Sequence, residues 1–277
     1  MDVRYSPDKN GFKKLDTNEL RKSFLIEDLF QKNKIPMTYS DVDRSITGSA
    51  VPSGKTLKLV ATKKEMAANY FTERRELGII NVGDSGTVSV NGKVYKMDSK
   101  DGLYVGRGEK TIEFKSKSAS KPAMFYFVSY PAHRDYPDKH ITFDKATKRN
   151  LGTIQDANKR VINQYFHPGI METCQLVMGL TELEEGCVWN TMPAHTHQRR
   201  SEVYVYFNLK PDSFVVHILG EANETRHIII RDKQAVLSTS WSMHSGVGTQ
   251  NYSFIWAMGG ENQVFDDMDW IPMKDLK

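Results

Sequence analysis

The chain has 277 residues, 26% of them charged and 39% hydrophobic, with a formal net charge of +4 at pH 7. That is enough chain for one large domain or two ordinary ones with full apolar cores, and the dispersed charge excludes a disordered tail and a basic nucleic-acid-binding stripe. The first residues, MDVRYSPDKNGFKK, lack an apolar signal-peptide core, no long apolar run occurs, and two cysteines, Cys174 and Cys187, are too few for a disulfide framework. A cytoplasmic protein with two plain buried thiols, without nucleic-acid or membrane partners, is expected.

In chain order, Asp16 and Glu19 have capping-box spacing, and Leu20, Phe24 and Leu29 form a rough apolar stripe ahead of Pro36, which predicts a helix near the start. From about Thr56 to Tyr130 the period changes to two. Short alternating runs such as TVSV and KVYKM are separated by turn residues, and Asn91-Gly92 between those two is the strongest hairpin signal. Residues 137–160 are polar, contain a Pro and a Gly, and read as a connection between domains. Asp156 as a cap and Pro168 as a stop suggest a short helix up to Phe166. Strand patterns then resume: TCQLVMGLTEL, SEVYVYFNL, SFVVHILG, TRHIII, QAVLSTS and YSFIWAMGG.

The two halves echo each other. FTERRELGIINV in the first parallels HTHQRRSEVYVYF in the second, with Glu76 near Glu202, and DGLYVGRG occupies the place of SWSMHSGVG. The reading is an all-β protein with short helices, built as a duplicated β-barrel. Its expected boundaries are 1–136 for the first barrel with the N-terminal helix, 137–160 for the linker, and 161–277 for the second barrel.

The chemistry concentrates in PAHTHQRRSEVYVYF, Pro193 to Phe207. Residues two apart on a strand share a face, so His195 and His197 converge. Glu202 has the wrong parity for that face unless a turn or bulge intervenes at residues 198–201. Beyond it, Glu202, Tyr204 and Tyr206 share one face, expected to line a cavity. His244, at a strand end before a Gly-rich turn, is the fourth candidate. Three imidazoles and a carboxylate suit Zn, Fe, Ni or Mn. The isolated histidines His133, His140, His167, His217 and His227 read as packing or surface residues.

His-x-His-x4-Glu with a later His resembles the first and second motifs of the cupin superfamily, although Gly186 lies nine residues before His195, which departs from the usual spacing. RRELGIIN, ETCQLVMGLTEL, NTMPAHTH, SWSMHSGVGT and GENQVFDDMD together closely resemble the 5-keto-4-deoxyuronate isomerase family (4-deoxy-L-threo-5-hexosulose-uronate ketol-isomerase), over essentially the whole chain. The resemblance implies a bicupin whose second barrel alone binds one zinc per chain through His195, His197, Glu202 and His244, and a hexameric homo-oligomer. It also implies an aldose to ketose conversion of the small molecule 5-dehydro-4-deoxy-D-glucuronate to 3-deoxy-D-glycero-2,5-hexodiulosonate in pectin and uronate degradation.

For that reaction the candidates to move protons are Glu202, Tyr204, Glu261 and Asp267, with Tyr206 and Asp266 nearby in the pattern. Arg199, Arg200 and Arg226 are candidates to grip the substrate carboxylate. Two other readings use the same ligands: an iron-dependent cupin dioxygenase, and a uronate-binding cupin that converts nothing.

Overall fold

The computed structural model describes residues 1–108 and 110–277. It divides into two compact units: Met1–Val3, Asp28–Ala146 and Tyr165–Leu176 form the first, and Arg4–Glu27, Thr147–Gln164 and Val177–Lys277 the second. Each contains two antiparallel sheets. No described helix is long and apolar enough to cross a membrane.

In the first unit the larger sheet runs Asp2–Arg4, Met37–Ser40, Ile46–Ala50, Phe125–Pro131, Arg75–Asn81, Gly102–Val105, Lys139–Ile141, and the smaller Leu57–Leu59, Ile112–Ser116, Gly86–Val90, Lys93–Met97. In the second the larger sheet runs Thr147–Leu151, Arg160–Phe166, Val177–Leu183, Ser253–Gly260, Arg200–Phe207, Ala235–Ser238, Leu25–Ile26. Its smaller sheet runs Glu224–Ile230, Val215–Glu221, Met243–Gly248, Trp189–Thr196, Asp269–Trp270. Within the smaller sheets the order matches strand for strand, Lys93–Met97 standing where Glu224–Ile230 stands and Leu57–Leu59 where Trp189–Thr196 stands. The duplication read from the sequence is thus present in the topology.

Alternation decides what each unit encloses. In the first, Leu77, Ile79, Val88, Ile112, Phe114 and Phe127 form a fully buried apolar core. Glu76, one residue out of phase with Leu77, joins no such core. Its completely buried carboxylate accepts from the Tyr104 hydroxyl at 2.7 Å and the backbone N–H groups of Cys174, Gln175 and Leu176 at 2.8, 2.7 and 2.8 Å. Four donors compensate a charge that would otherwise be prohibitive to bury. In the second unit the core instead carries Tyr204, Tyr206, Phe254, Trp256 and Met258 from one sheet and Val215, Leu219, Ile228 and Ile230 from the other.

Three expectations differ from the structure. Residues 160–166 are a strand rather than a helix, because Arg160 to Gln164 pair with Thr147–Leu151, and this outweighs the local cap at Asp156. The stretch 137–160 carries the strands Lys139–Ile141 and Thr147–Leu151, one for each unit, so it is not a free linker. The predicted helix exists as Thr17–Phe24 with the reciprocal Asp16–Glu19 capping box, but it belongs to the second unit, where Leu20 and Phe24 join the core and Arg21 donates to the Ile229 carbonyl at 3.0 Å.

Candidate metal centre

His195 is the penultimate residue of the strand Trp189–Thr196 and the register partner of His244 on Met243–Gly248. Adjacent strands of one sheet therefore present two imidazoles on one face. The chain then turns, with the Arg200 N–H bonded to the His197 carbonyl at 3.1 Å, and enters the other sheet of the unit as Arg200–Phe207. That change of sheet resolves the parity of Glu202, which faces the histidines from the opposing layer. Two irregularities precede the turn: a register shift between Asn190 and His195, and a left-handed φ of 51° at the β-branched Thr191.

All four side chains are buried, and their donor atoms lie within 4.8 Å of one another. The His195 Nε2 is 3.0 Å from His197 Nε2 and 3.1 Å from His244 Nε2, and Glu202 Oε2 is 3.3 Å from His197 Nε2 and 3.1 Å from His244 Nε2. Four donors at ~2.1 Å from a tetrahedral centre stand about 3.4 Å apart, so the spacing fits one ion.

Hydrogen bonding strengthens that fit. His244 Nδ1 lies 3.1 Å from the Ser238 hydroxyl and His197 Nδ1 lies 3.0 Å from the Asp267 carbonyl. The carbonyl only accepts, so it is satisfied by the tautomer that carries the proton on Nδ1 and leaves the Nε2 lone pair of His197 inward, while the Arg200 guanidinium, a donor only, lies 3.2 Å from the same Nδ1; the Ser238 hydroxyl can accept from the matching tautomer of His244. Glu202 Oε2 faces both Nε2 atoms, so one cation between them would take all three as ligands.

Burial, then the other two histidines, pushes His195 well below its ordinary value, and burial lowers His244 against the opposing Glu202 carboxylate. Burial alone would raise Glu202, but the facing His244 and His197 outweigh it and hold the carboxyl below the usual carboxylate range. Neutral imidazoles and an ionised carboxylate are the protonation states that metal binding requires.

With His244 standing behind them, His195, His197 and Glu202 border a cavity of about 80 Å³. Its wall is mainly apolar, from Phe254, Trp256, Met258, Phe265 and Trp270, with Thr181, Thr191, Tyr204 and Arg160 as further polar contributors. Burial, then the Glu202 carboxylate, push the Tyr204 phenol well above its ordinary value, so it stays protonated. Tyr206, on the same strand face, lies deeper and outside the lining; its hydroxyl is 2.8 Å from His217 Nδ1.

The other residues singled out from sequence lie elsewhere. Glu261 is exposed, and its one bond among the described contacts runs from its backbone N–H to the Arg199 carbonyl at 2.8 Å. Asp267 is held by Arg199 through Nε–Oδ2 and NH2–Oδ1 contacts of 2.8 and 2.6 Å, and by Asn262 at 2.5 Å; these partners keep its carboxyl low. Arg199 also reaches Asp269, which leaves its guanidinium occupied. Arg200, 1% exposed, donates to the Phe265 and Asp267 carbonyls behind His197, at 3.3 and 3.2 Å. Arg226 bonds Glu224 and the Lys13 carbonyl and borders a separate groove with Leu15, Asp16 and His227. Asp266 is exposed and pairs with Arg149 at 3.3 Å. None of these lines the cavity.

Arg160 does line it and went unnoticed in the sequence, its neighbours QDANK being read as connector. Both cysteines are free, Cys187 buried and Cys174 half-buried.

The model of the KduI/IolB family matches residues 25–273. Over 277 residues, the full length of both chains, the protein is 53% identical to the 4-deoxy-L-threo-5-hexosulose-uronate ketol-isomerase of Caldicellulosiruptor bescii and 52% identical to that of Lachnoclostridium phytofermentans. It is 50% identical over 278 residues, again the whole of both chains, to the protein of that name from Escherichia coli strain SE11. Among solved structures, an IolB-like protein from Salmonella typhimurium LT2 superposes with a TM-score of 0.72 at 12% identity, over 90% of this chain and 96% of that one. Ylba from E. coli gives 0.54 at 14%, over 87% and 91%. Those two likenesses speak for the duplicated cupin-type fold.

Proposed function

The chain belongs to the KduI/IolB family, and from that premise we propose that it is a zinc-dependent ketol-isomerase of 5-dehydro-4-deoxy-D-glucuronate, acting in pectin and uronate breakdown in the cytoplasm. The observation that carries the reading is the gathering of the His195, His197, Glu202 and His244 ligand atoms within 4.8 Å of one another beside a mostly apolar cavity. In this reading those four side chains hold the ion.

The reaction transfers hydrogen within the substrate and needs no external oxidant. The proton on C2 leaves, the C2 hydroxyl becomes a carbonyl, and the C1 aldehyde gains a hydrogen on carbon and a proton on oxygen. Charge collects on oxygen between the two steps, and a bound divalent cation supplies electrostatic stabilisation there. Tyr204 contributes a phenol that burial keeps protonated, suited to hydrogen-bond the same oxygens. Apolar walls from Phe254, Trp256 and Phe265 limit the water that competes for those contacts. Glu202 is the one carboxylate among the described lining residues, which leaves Glu261 and Asp267 outside the reacting space.

The test is incubation of metal-loaded protein with lyase-generated deoxyuronate under argon, followed by NMR. The expected outcome is loss of the C1 aldehyde or hydrate signal and growth of a hydroxymethyl signal beside a new ketone, abolished by prior chelation and restored by zinc. Conversion only after oxygen is admitted would point to a dioxygenase. Binding without conversion under either gas would leave a uronate-binding protein. The same reading includes six chains of 31.6 kDa per assembly, which light scattering measures.

A further inference from the structure

Arg160 sits at the first position of the strand Arg160–Phe166, opposite Leu151 in register, and both residues face the cavity. It is the one Lys or Arg among the described lining residues. Its recorded hydrogen bond runs from NH1 to the Asn158 carbonyl at 2.7 Å, and no Asp or Glu forms an ion pair with it among the described contacts. Burial lowers its pKa, and the groups that act against this are the phenols of Tyr252 and Tyr204 rather than a carboxylate. A guanidinium kept partly out of water without an anion is costly, and the cost is recovered when a ligand supplies the anion. The arginines nearer the ligand motif do not reach the cavity: Arg199 is paired with Asp267 and Asp269, and Arg200, whose NH2 bonds backbone carbonyls while its Nε and NH1 lack partners, lies outside the lining.

Placement on the sheet gives this charge a purpose. Arg160's strand is three strands away from Glu202's in the order Arg160–Phe166, Val177–Leu183, Ser253–Gly260, Arg200–Phe207. At ~4.8 Å per interval the strand axes are roughly 14 Å apart, and side chains reaching inward from both narrow that to the order of a short carbon chain. We infer that Arg160 is the specificity-determining anchor for the substrate's carboxylate, gripping one end of a hexuronate-type acid while its carbonyl end meets the four-donor cluster. This rests on the isomerase reading for the identity of the reacting end only. A bidentate guanidinium–carboxylate pair then fixes which end of the substrate enters first and selects acids over neutral sugars.

The test crosses substrate charge with residue charge. For wild type, the KM of the deoxyuronate is expected to be at least tenfold below that of its C6 carboxamide, with kcat much less affected. In Arg160→Gln the acid's KM rises at least tenfold and the acid and amide become equal, while Arg160→Lys is intermediate because it keeps charge without the fork. A second readout needs no turnover: quenching of the cavity tryptophans Trp256 and Trp270 by D-galacturonate, against D-galactose, should discriminate in wild type and lose that discrimination in Arg160→Gln. Metal content and Tm are recorded for each variant. Should Arg160→Gln fail to fold, the wild-type acid-to-amide ratio and Arg160→Lys still decide. An unchanged acid KM in Arg160→Gln, or a wild type indifferent to the carboxamide, overturns the anchor. Galacturonate binding that depends on Arg160 in a protein that converts no deoxyuronate would instead sink the isomerase reading and leave the anchor standing.

Discussion

Ser238 touches no substrate, yet it is among the side chains on which the centre depends. It is the register partner of Glu202, and its hydroxyl supports the Nδ1–H tautomer of His244. Removing such a partner typically costs 10–100-fold in metal affinity. Ser238→Ala is therefore expected to weaken zinc binding by about that factor in a chelator competition, with the fold kept. Asp267 was a candidate base on sequence grounds, and its pairing with Arg199 and Asn262 makes it a latch. Because its carboxyl is lowered in the folded protein, the stability it adds is complete above the ordinary Asp value of about 3.9 and disappears as pH falls through the folded value. Asp267→Asn should accordingly lower Tm at pH 7, the difference vanishing in acid, and reduce kcat less than tenfold; a loss of several orders with Tm unchanged would restore it as a base. The ligands themselves were legible because i, i+2 parity on a strand is a local property. The acceptor for His197 was not, since it is a backbone carbonyl seventy residues on, and every residue has one.

Strand Val177–Leu183 shows how one element sets the shape of the cavity. Gly179 pairs with Trp256, and a Cβ placed there would stand 2.3 Å from Trp256 Cζ2 and 2.6 Å from the Asn163 carbonyl oxygen. The absence of a side chain at 179 is what allows the indole to lie against the sheet, donating to Thr181 at 3.1 Å. Gly179→Ala should drive the ring into the cavity, cost about 1–3 kcal/mol by overpacking, and raise substrate KM together with a shift in tryptophan emission. Retained KM and emission would show that the backbone absorbs the clash instead. Element types were readable where a periodic run was long, as in SEVYVYF. They failed at RVINQYF, where Asp156 and Pro168 imitate helix ends and the deciding factor, pairing with Thr147–Leu151, is invisible locally. Arg160 was lost with that strand.

Across the whole chain, the two units share a topology and differ in what their interiors carry. Leu77 and Ile79 fill the first where Glu202, Tyr204 and Tyr206 look inward in the second. A buried histidine makes the stability of the second unit sensitive to acid. His217, fully buried with Nδ1 on Tyr206 and Nε2 without a partner, is pushed down to about 3 by burial, then by His244. The unfolded chain binds that proton near pH 6.5 and the folded chain does not, so stability falls as pH drops from about 6.5 toward 3. In the metal-loaded protein, His217→Gln should flatten the slope of unfolding free energy by up to ~1.4 kcal/mol per pH unit in that window, and equal slopes would refute the assignment. The helix Thr17–Phe24 belonging to the second unit, through a contact spanning 208 residues, is the other whole-chain fact that no local pattern announces.

The carbonyl of Asp267 that steadies His197 belongs to the peptide bond, so its supply is indifferent to which amino acid occupies position 267. Downstream, Asp269–Trp270 zips onto Thr196 and His195, and Ile271 N–H closes on the Ala194 carbonyl. For the hydrogen bond to His197, then, the path of this tail matters more than the side chain at the accepting position. Exchanging letters at Gln263 or Val264 should leave the imidazole undisturbed, whereas dropping either one slides the oxygen away and loosens the cation's seat without altering a single ligand.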